Sequence, residues 1–141
     1  MINRITHFTI NVIDQNRAID FYTNKLGFKI VTDVPMPGGD RWITVCTPEQ
    51  PDIELILSPI TRAKASKEDI LQLKTLIENG NFGLGLFTSK DIFATYEELK
   101  AKGVVFTKVP THDFYGLEAI FKDDSGNWFS LAQLKQNENN S

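Results

Sequence analysis

The sequence predicts an α+β fold made of two tandem βαβββ modules, whose strands form a curved mixed sheet, the cup, with helices on its outer side. In each half of the chain a strand-like segment is followed by a helix and then by three more strand-like segments separated by turn residues. A shift of 76 residues carries Ala18 onto Ala94 and the helix-ending Gly27 onto Gly103. Such an internal repeat indicates two copies of one unit, each with a sheet that needs a partner to close it.

The first module, residues 1–60, opens with the alternating segment 5–13. The apolar side chains of Phe8, Ile10 and Val12 alternate there with polar ones, which is typical of a half-buried strand. Turn residues such as those of segment 35–39 separate the later strands. The remaining elements are a helix over residues 17–22 with Asp14 as its N-cap, and strands over residues 28–33, 41–46 and 53–58.

Residues 61–80 are predicted to form a helical connector. Ile70, Leu73, Leu76 and Ile77 recur at helical spacing in this segment, so we expect an amphipathic helix packed on the outside. The second module, residues 81–134, repeats the order of the first, and residues 135–141 form a polar tail that we expect to be frayed. Its predicted strands are 82–88, 104–108, 116–122 and 127–133, and its predicted helix is 92–102.

Composition excludes several classes of partner. The 15 basic and 18 acidic side chains leave a formal net charge of −3, whereas nucleic acid and anionic membranes require a clustered basic face. No apolar run approaches the roughly 18 residues of a membrane span. The single cysteine, Cys46, cannot form an internal disulfide, and the N-terminus has no signal-like apolar segment. We therefore expect a cytoplasmic protein.

Several motifs resemble those of the vicinal oxygen chelate superfamily, which includes glyoxalase I, extradiol dioxygenases, and bleomycin and fosfomycin resistance proteins. The most specific is segment 18–28, which contains Phe-Tyr and ends in Leu-Gly-Phe. The others are segments 6–12, 52–55, 115–116 and 123–127. The resemblance covers nearly the full chain and implies the same two-module fold with a ligand cup.

The resemblance also implies where metal ligands would lie. In metal-dependent members each module supplies one ligand from its first strand, usually His, and one from its last strand, usually Glu. These positions correspond to His7 and Glu54 in the first module, and the 76-residue shift places Gly83 and Ser130 there in the second. Glycine has no side chain, and a neutral hydroxyl is a poor ligand for a transition metal. Half of the metal site is therefore predicted to be missing, and we expect no cofactor.

The alternative is a divergent metal-dependent lyase, isomerase or dioxygenase. A catalytic zinc usually has three protein ligands, and a non-haem iron oxygenase uses two His and one carboxylate. Zn, Ni, Fe or Mn held by His7 and Glu54 would need one further ligand, for which the candidates are His112, Glu118 and Cys46. We expect His112 on a loop beside the cup. Whether the chain is an enzyme stays open at the level of the sequence.

The candidate ligand-binding residues are those that the strand pattern or the resemblance places on the cup. Trp128 should face inward as an apolar wall beside small residues, while Phe129 and Leu131 face the helices. A carboxylate within a sheet needs a partner, so Glu54 is expected to pair with Arg41 or Arg4 if it has only a structural role. The full set is His7, Glu54, Trp128, Ser130, Gly83, Arg41, Trp42, Tyr115 and Glu118.

Structural roles are the alternative for several of these residues. Arg41 and Trp42 would then be a loop-anchoring ion-pair partner and a packed aromatic, His7 would be bonded to a neighbour, and Trp128 would fill the core. Cys46 is expected to be a small buried residue. Segment 123–127 is most simply a turn.

The function expected from the sequence is binding of a small organic molecule, such as an antibiotic, without a catalytic metal. The resemblance to resistance proteins that sequester antibiotics in a dimer crevice implies a homodimer, whose modules pair either within or between chains. A net acidic protein suits a cationic or neutral ligand better than an anion. A structural or regulatory dimer with a vestigial cup is a third hypothesis.

Overall fold

The computed structural model describes residues 1–135. Apart from Lys135, the tail predicted at 135–141 therefore lies outside the described residues. The elements alternate as two βαβββ units joined by a helix. In chain order they are β1 (His7–Val12), α1 (Gln15–Asp20), a π-helical turn (Phe21–Lys25), β2 (Lys29–Pro35), β3 (Arg41–Thr47), β4 (Gln50–Pro59), a 3₁₀ turn (Ile60–Arg62), α2 (Lys67–Glu78), β5 (Gly83–Thr88), α3 (Ile92–Ala101), β6 (Val105–Asp113), β7 (Gly116–Lys122) and β8 (Trp128–Leu134).

The strands form two four-stranded mixed sheets with the same topology. Their orders are β1-β4-β3-β2 and β5-β8-β7-β6. The first and last strands of each unit pair in parallel, and the other pairs are antiparallel. Parallel neighbours need a crossover connection, which α1 with β2 and β3 supplies in the first unit and α3 with β6 and β7 supplies in the second. The predicted α+β fold of two βαβββ modules is confirmed.

The two module helices begin and end alike. Asp14 and Asp91 are their N-caps, and each carboxylate accepts a hydrogen bond from the backbone N–H three residues later. Gly27 and Gly103 follow the helical segments with φ of +77° and +89°, in the left-handed region that glycine adopts without strain. These matching ends explain why the repeat is visible in the sequence. No helix within residues 1–135 is long and apolar enough to cross a membrane.

Both sheets bury one face in a shared hydrophobic core on the helix side. Phe129 and Leu131 of β8 lie in this core, as predicted, and Ile10 of β1 joins them from the first sheet. The Tyr22 ring, from the π-helical turn, packs edge-on against Phe129 with 6.5 Å between ring centroids. The opposite face of each sheet points away from this core. We call these two faces the cup faces, because they carry most of the candidate residues.

The turn between β7 and β8 joins the modules through buried polar contacts. The Tyr22 hydroxyl donates to Asp123 Oδ2 at 2.7 Å, and Asn127 Nδ2 donates to the Asn11 carbonyl at 2.9 Å. The backbone N–H of Ile13 donates to Ser125 Oγ at 2.9 Å. Segment 123–127 is therefore a turn, as the sequence predicts, and it also fixes the second module against the first.

Candidate functional site

His7 and Glu54 meet on the cup face of the first sheet. They are direct partners in the parallel register of β1 and β4, and His7 Nε2 lies 3.3 Å from Glu54 Oε2. The buried Thr44 hydroxyl donates to Glu54 Oε1 at 2.7 Å. His7 Nδ1 lies 2.8 Å from the Thr6 hydroxyl. Each side chain of the pair is thus held by a further neighbour, which fixes the orientation of both.

The ion pairs predicted for Glu54 are wrong. The Arg41 side chain turns toward the edge strand β2, where its Nε donates to Asp33 at 3.0 Å. Arg4 lies 3.6 Å from Asp52 instead. Arg41 stands at the first position of β3, opposite the last residue of β2, so its side chain reaches the rim of the sheet rather than the carboxylate on β4. The contacts of Arg41 are therefore those of a residue that anchors the loop. The neighbouring Trp42 is 37% exposed.

A second polar cluster lies on the cup face of the second sheet, and it contains a residue that the sequence did not indicate. Lys108 Nζ donates to Glu118 Oε1 at 2.6 Å, and the Tyr115 hydroxyl donates to Glu118 Oε2. Asp113 Oδ2 is 3.9 Å from the same ammonium. The structure therefore brings Tyr115 and Glu118 together, as two of the predicted site residues, around Lys108.

The cluster keeps its groups charged or protonated at neutral pH. The hydrogen bond from Lys108, reinforced by that from Tyr115, lowers the pKa of Glu118 below its ordinary value. Ser130 acts in the same direction. The same bond to Glu118 raises the pKa of Lys108, and bonding to Glu118 raises the pKa of Tyr115 to about 12. An ammonium–carboxylate pair and a protonated phenol therefore face the cup.

A β-bulge explains why Lys108 faces the cup although the alternation of side chains along β6 predicts the opposite face. Phe106 packs against the core, so strict alternation would send Lys108 to the core side as well. The register of β6 against β7 shifts between these two residues, and Lys108 pairs with Ile120. The same strand continues to Asp113, so His112 is a strand residue opposite Leu117 and the expected loop is wrong.

Trp128 covers Gly83 on the second cup face. A Cβ on Gly83 would overlap the indole ring atoms Cζ2 and Cε2, so the ring fills space that the small residues were expected to leave open. Gly83 pairs with Trp128 in the parallel register, as His7 pairs with Glu54. By this pairing the counterpart of Glu54 is Trp128 rather than Ser130. Gly83 and Trp128 are 45 positions apart, whereas His7 and Glu54 are 47 apart, so one constant shift cannot match both the first and the last strands of the two modules.

The residues present do not fit a metal site with three protein ligands. Within residues 1–135, no three His, Cys, Asp or Glu side chains converge as such a group. Of the candidate third ligands, Cys46 is 4% exposed and Glu118 already bonds Lys108 and Tyr115. His7 and Glu54 form a two-residue pair, and the second module places an indole where its own pair would lie.

The candidate residues lie on open sheet faces rather than in an enclosed cavity. A cavity of about 460 Å³ lies between the modules on the helix side, where Phe8, Leu55 and Leu86 are among its apolar walls. None of the nine candidate residues lines it. The cluster around Glu54 lies on the first sheet, and the cluster around Glu118 lies on the second. The polar contacts that join the modules at the β7–β8 turn involve neither cluster.

Comparisons with known proteins agree with this architecture. The structure is similar to that of UcmS2, with 40% identity and a TM-score of 0.86 over 94% of this chain and 98% of that one. It is also similar to TnmS3, described as an antibiotic binding protein from Streptomyces sp. CB03234, with 28% identity and a TM-score of 0.74 over 95% and 98% of the two chains. The uncharacterized protein YurT of Bacillus subtilis (strain 168) is 40% identical over 92% of this chain and 98% of its own.

A family model matches residues 4–131, which include every strand except the end of β8. The match therefore covers both modules and the connecting helix, and all nine candidate residues lie within it. On this match, the chain belongs to the Glyoxalase/Bleomycin resistance protein/Dioxygenase superfamily.

Proposed function

We propose that this protein binds a small organic molecule, of the kind represented by antibiotics, on its cup faces and without a catalytic metal. The observation that carries the proposal is the indole of Trp128 over Gly83. It supplies an aromatic surface at the position where the first module has a His–Glu pair. A binding site of this kind needs an apolar wall and a few placed polar groups, which the two clusters provide.

The similarity to TnmS3 supports the same proposal, since that protein is described as antibiotic binding and aligns with nearly the whole of this chain. The ligand of the present protein need not be the same molecule, because members of one fold differ in their sites. We also propose a cytoplasmic location, since a lone buried Cys46 suits a reducing compartment.

We propose that the protein acts as a homodimer in which the cup is completed between chains. Both modules of one chain share a core on the helix side, so their cup faces point away from it. The strands β1 and β5 are edges of their sheets, and their side chains Phe8 and Leu86 are 53% and 47% exposed. Exposed apolar side chains on unpaired edge strands favour association with another sheet.

A thermal-shift screen with aromatic antibiotics tests the binding proposal. A ligand present at about 100 times its Kd stabilises the folded state by about 2.7 kcal/mol, which raises the Tm by roughly 5 °C or more in a domain of this size. We expect at least one compound to do so. Replacing the indole by Trp128→Leu should abolish the shift, whereas Phe93→Leu, on the exposed side of α3, should leave it unchanged.

Two outcomes would contradict this function. Absence of any shift across a broad panel would argue against small-molecule binding and favour the structural dimer. A stoichiometric Zn, Ni, Fe or Mn ion in the purified protein, lost with His7→Ala, would favour the metal-dependent alternative, for which the 3.3 Å separation of His7 and Glu54 is the supporting observation.

A further inference from the structure

The second sheet carries two lysines on its cup face, and their surroundings differ. Lys108 Nζ donates to Glu118 Oε1 at 2.6 Å, so its charge is compensated within the protein. Within residues 1–135 the ammonium of Lys122, the last residue of β7, has no hydrogen-bond or ion-pair partner. Lys122 is half-buried, so water solvates this charge less well than that of a fully exposed lysine. The ammonium of Lys122 is therefore available to an anion from outside the chain.

Lys122 lies beside the indole of Trp128. The two residues are direct partners in the antiparallel register of β7 and β8, so their side chains leave the same face of the sheet with Cβ atoms roughly 5 Å apart. Their neighbours along the strands, Phe121 and Phe129, both pack in the core. Alternation therefore places Lys122 and Trp128 together on the cup face.

The two side chains also end over one short segment of the chain. A Cβ on Gly80 would overlap Lys122 Nζ, and a Cβ on Gly83 would overlap the indole of Trp128. Three residues of chain span at most about 11 Å, so the two glycines are no farther apart than this. Because the side chains start from paired positions and end over this segment, one small ligand can contact both the ammonium and the ring.

A purely structural role is the alternative for Lys122. Gly80 follows α2, and a cation near the C-terminal end of a helix interacts favourably with the helix dipole and with the last carbonyl groups. In the described part of the chain, however, the ammonium of Lys122 donates to none of these carbonyls. The hydrogen-bonding capacity of its three N–H groups is therefore left for a ligand.

We propose that Lys122 and Trp128 form a site for an aromatic carboxylate. The ammonium of Lys122 pairs with the carboxylate, and the indole of Trp128 packs against the aromatic ring. The inference rests on the proposed binding function and makes Lys122 the residue that determines the charge of the ligand. It differs from the preference for a cationic or neutral ligand that the net charge of −3 predicts. A charge in contact with the ligand outweighs distant surface charges, because salt screens the distant ones.

Three naphthalenes that carry planar groups of similar shape on carbon 2 test this site: carboxylate, carboxamide and amidinium. Their affinities for the full-length protein at pH 7 are measured by equilibrium dialysis, with naphthalene fluorescence as the readout. We expect the carboxylate to bind at least tenfold more tightly than the amide, and the amidinium to bind most weakly. An amide or amidinium that binds as tightly as the carboxylate would overturn the inference and leave the binding function intact. Absence of carboxylate binding would also overturn the inference, whereas the antibiotic screen decides the binding function itself.

Variants of Lys122 make the test specific to its charge. Lys122→Met should lower the affinity for the carboxylate tenfold or more, to that of the amide, and should leave the affinity for the amide unchanged. Lys122→Arg keeps the positive charge and should retain the preference for the carboxylate. Lys67→Met, at the exposed start of α2, removes the same charge elsewhere and is the matched control, which should change none of the three affinities.

A variant of Trp128 tests the ring contact separately. Trp128→Leu should weaken binding of the carboxylate and of the amide by the same factor, because both probes share the naphthalene ring. If Lys122 only stabilises the end of α2, Lys122→Met would lower the Tm and leave the ratio of the carboxylate and amide affinities unchanged. That result, with the circular dichroism spectrum retained, would overturn the inference.

Discussion

At the scale of single residues, the most informative contact is the one between Gly83 and Trp128. The glycine is needed because the indole lies where its Cβ would be. The absence of a side chain at residue 83 therefore has a packing reason that does not depend on any metal-ligand role. The contact also means that histidine cannot simply be restored at residue 83, since its side chain would overlap the ring.

We expect Gly83→Ala to destabilise the protein by about 1–3 kcal/mol, the usual cost of inserting an atom into occupied space. Gly85→Ala is the matched control, because a Cβ there meets nothing within 4 Å, and it should be close to neutral. Urea denaturation measures both. The cost of Gly83→Ala should largely disappear in a Trp128→Leu background, and a full cost there would mean that the ring is not the cause.

At the scale of elements, the β7–β8 turn combines local structure with the docking of the modules. Asp123 Oδ1 accepts three backbone N–H groups of its own turn at 2.9 Å, while Oδ2 accepts from Tyr22 of the other module. Asp124 is adjacent, and its Oδ1 is buried without a hydrogen-bond partner in the described part of the chain. Burial, with a smaller effect of the Asp123 charge, raises the pKa of Asp124 to about 7.

This pKa predicts how stability depends on pH. Asp124 has an ordinary pKa of 3.8 and a folded pKa of about 7, so the folded state binds more protons between these values. Its contribution to stability is then greatest at low pH and falls as the pH rises toward 7. Asp124→Asn removes the carboxylate charge whose burial destabilises the folded state above pH 7, so we expect the substitution to raise the Tm at pH 8.

The gain from Asp124→Asn should become smaller at pH 5, where Asp124 is already protonated in the folded state. Differential scanning calorimetry at the two pH values measures the effect. Asp52→Asn is the control, because its carboxylate is 63% exposed beside Arg4 and such pairs contribute little. An equal effect of Asp124→Asn at both pH values would contradict the assigned pKa.

At the scale of the whole protein, the arrangement of the modules determines which sheet faces are available to bind a ligand. The shared core and the β7–β8 turn hold the modules together on the helix side, and the two polar clusters remain on separate open faces. We therefore propose that a second chain covers a ligand bound on these faces. This is the physical basis for proposing a homodimer.

We expect Leu86→Glu to weaken the proposed dimer, because it places a charge on the exposed edge strand β5. Leu86 is 47% exposed in one chain, although it also lines the cavity between the modules, so an unchanged circular dichroism spectrum must first show that the variant keeps its fold. Leu71→Glu, on α2 at 64% exposure, is the control. Light scattering after size-exclusion chromatography should give a dimer for the natural sequence and the control, and a monomer for Leu86→Glu. A monomer for the natural sequence would refute the assembly.

The repeated βαβββ architecture can be predicted from the sequence, because strand alternation, Asp N-caps and the helix-ending Gly27 and Gly103 are local signals that recur in both halves. The sequence also indicated the positions of His7 and Glu54, whose face follows from simple alternation. Three features are visible only in the folded chain: Trp128 covers Gly83, Lys108 faces the cup, and Asp123 joins the modules. The first depends on the shorter segment between the first and last strands of the second module, the second on a β-bulge that changes the register of β6, and the third on contacts between residues about 100 positions apart, so no local pattern encodes them.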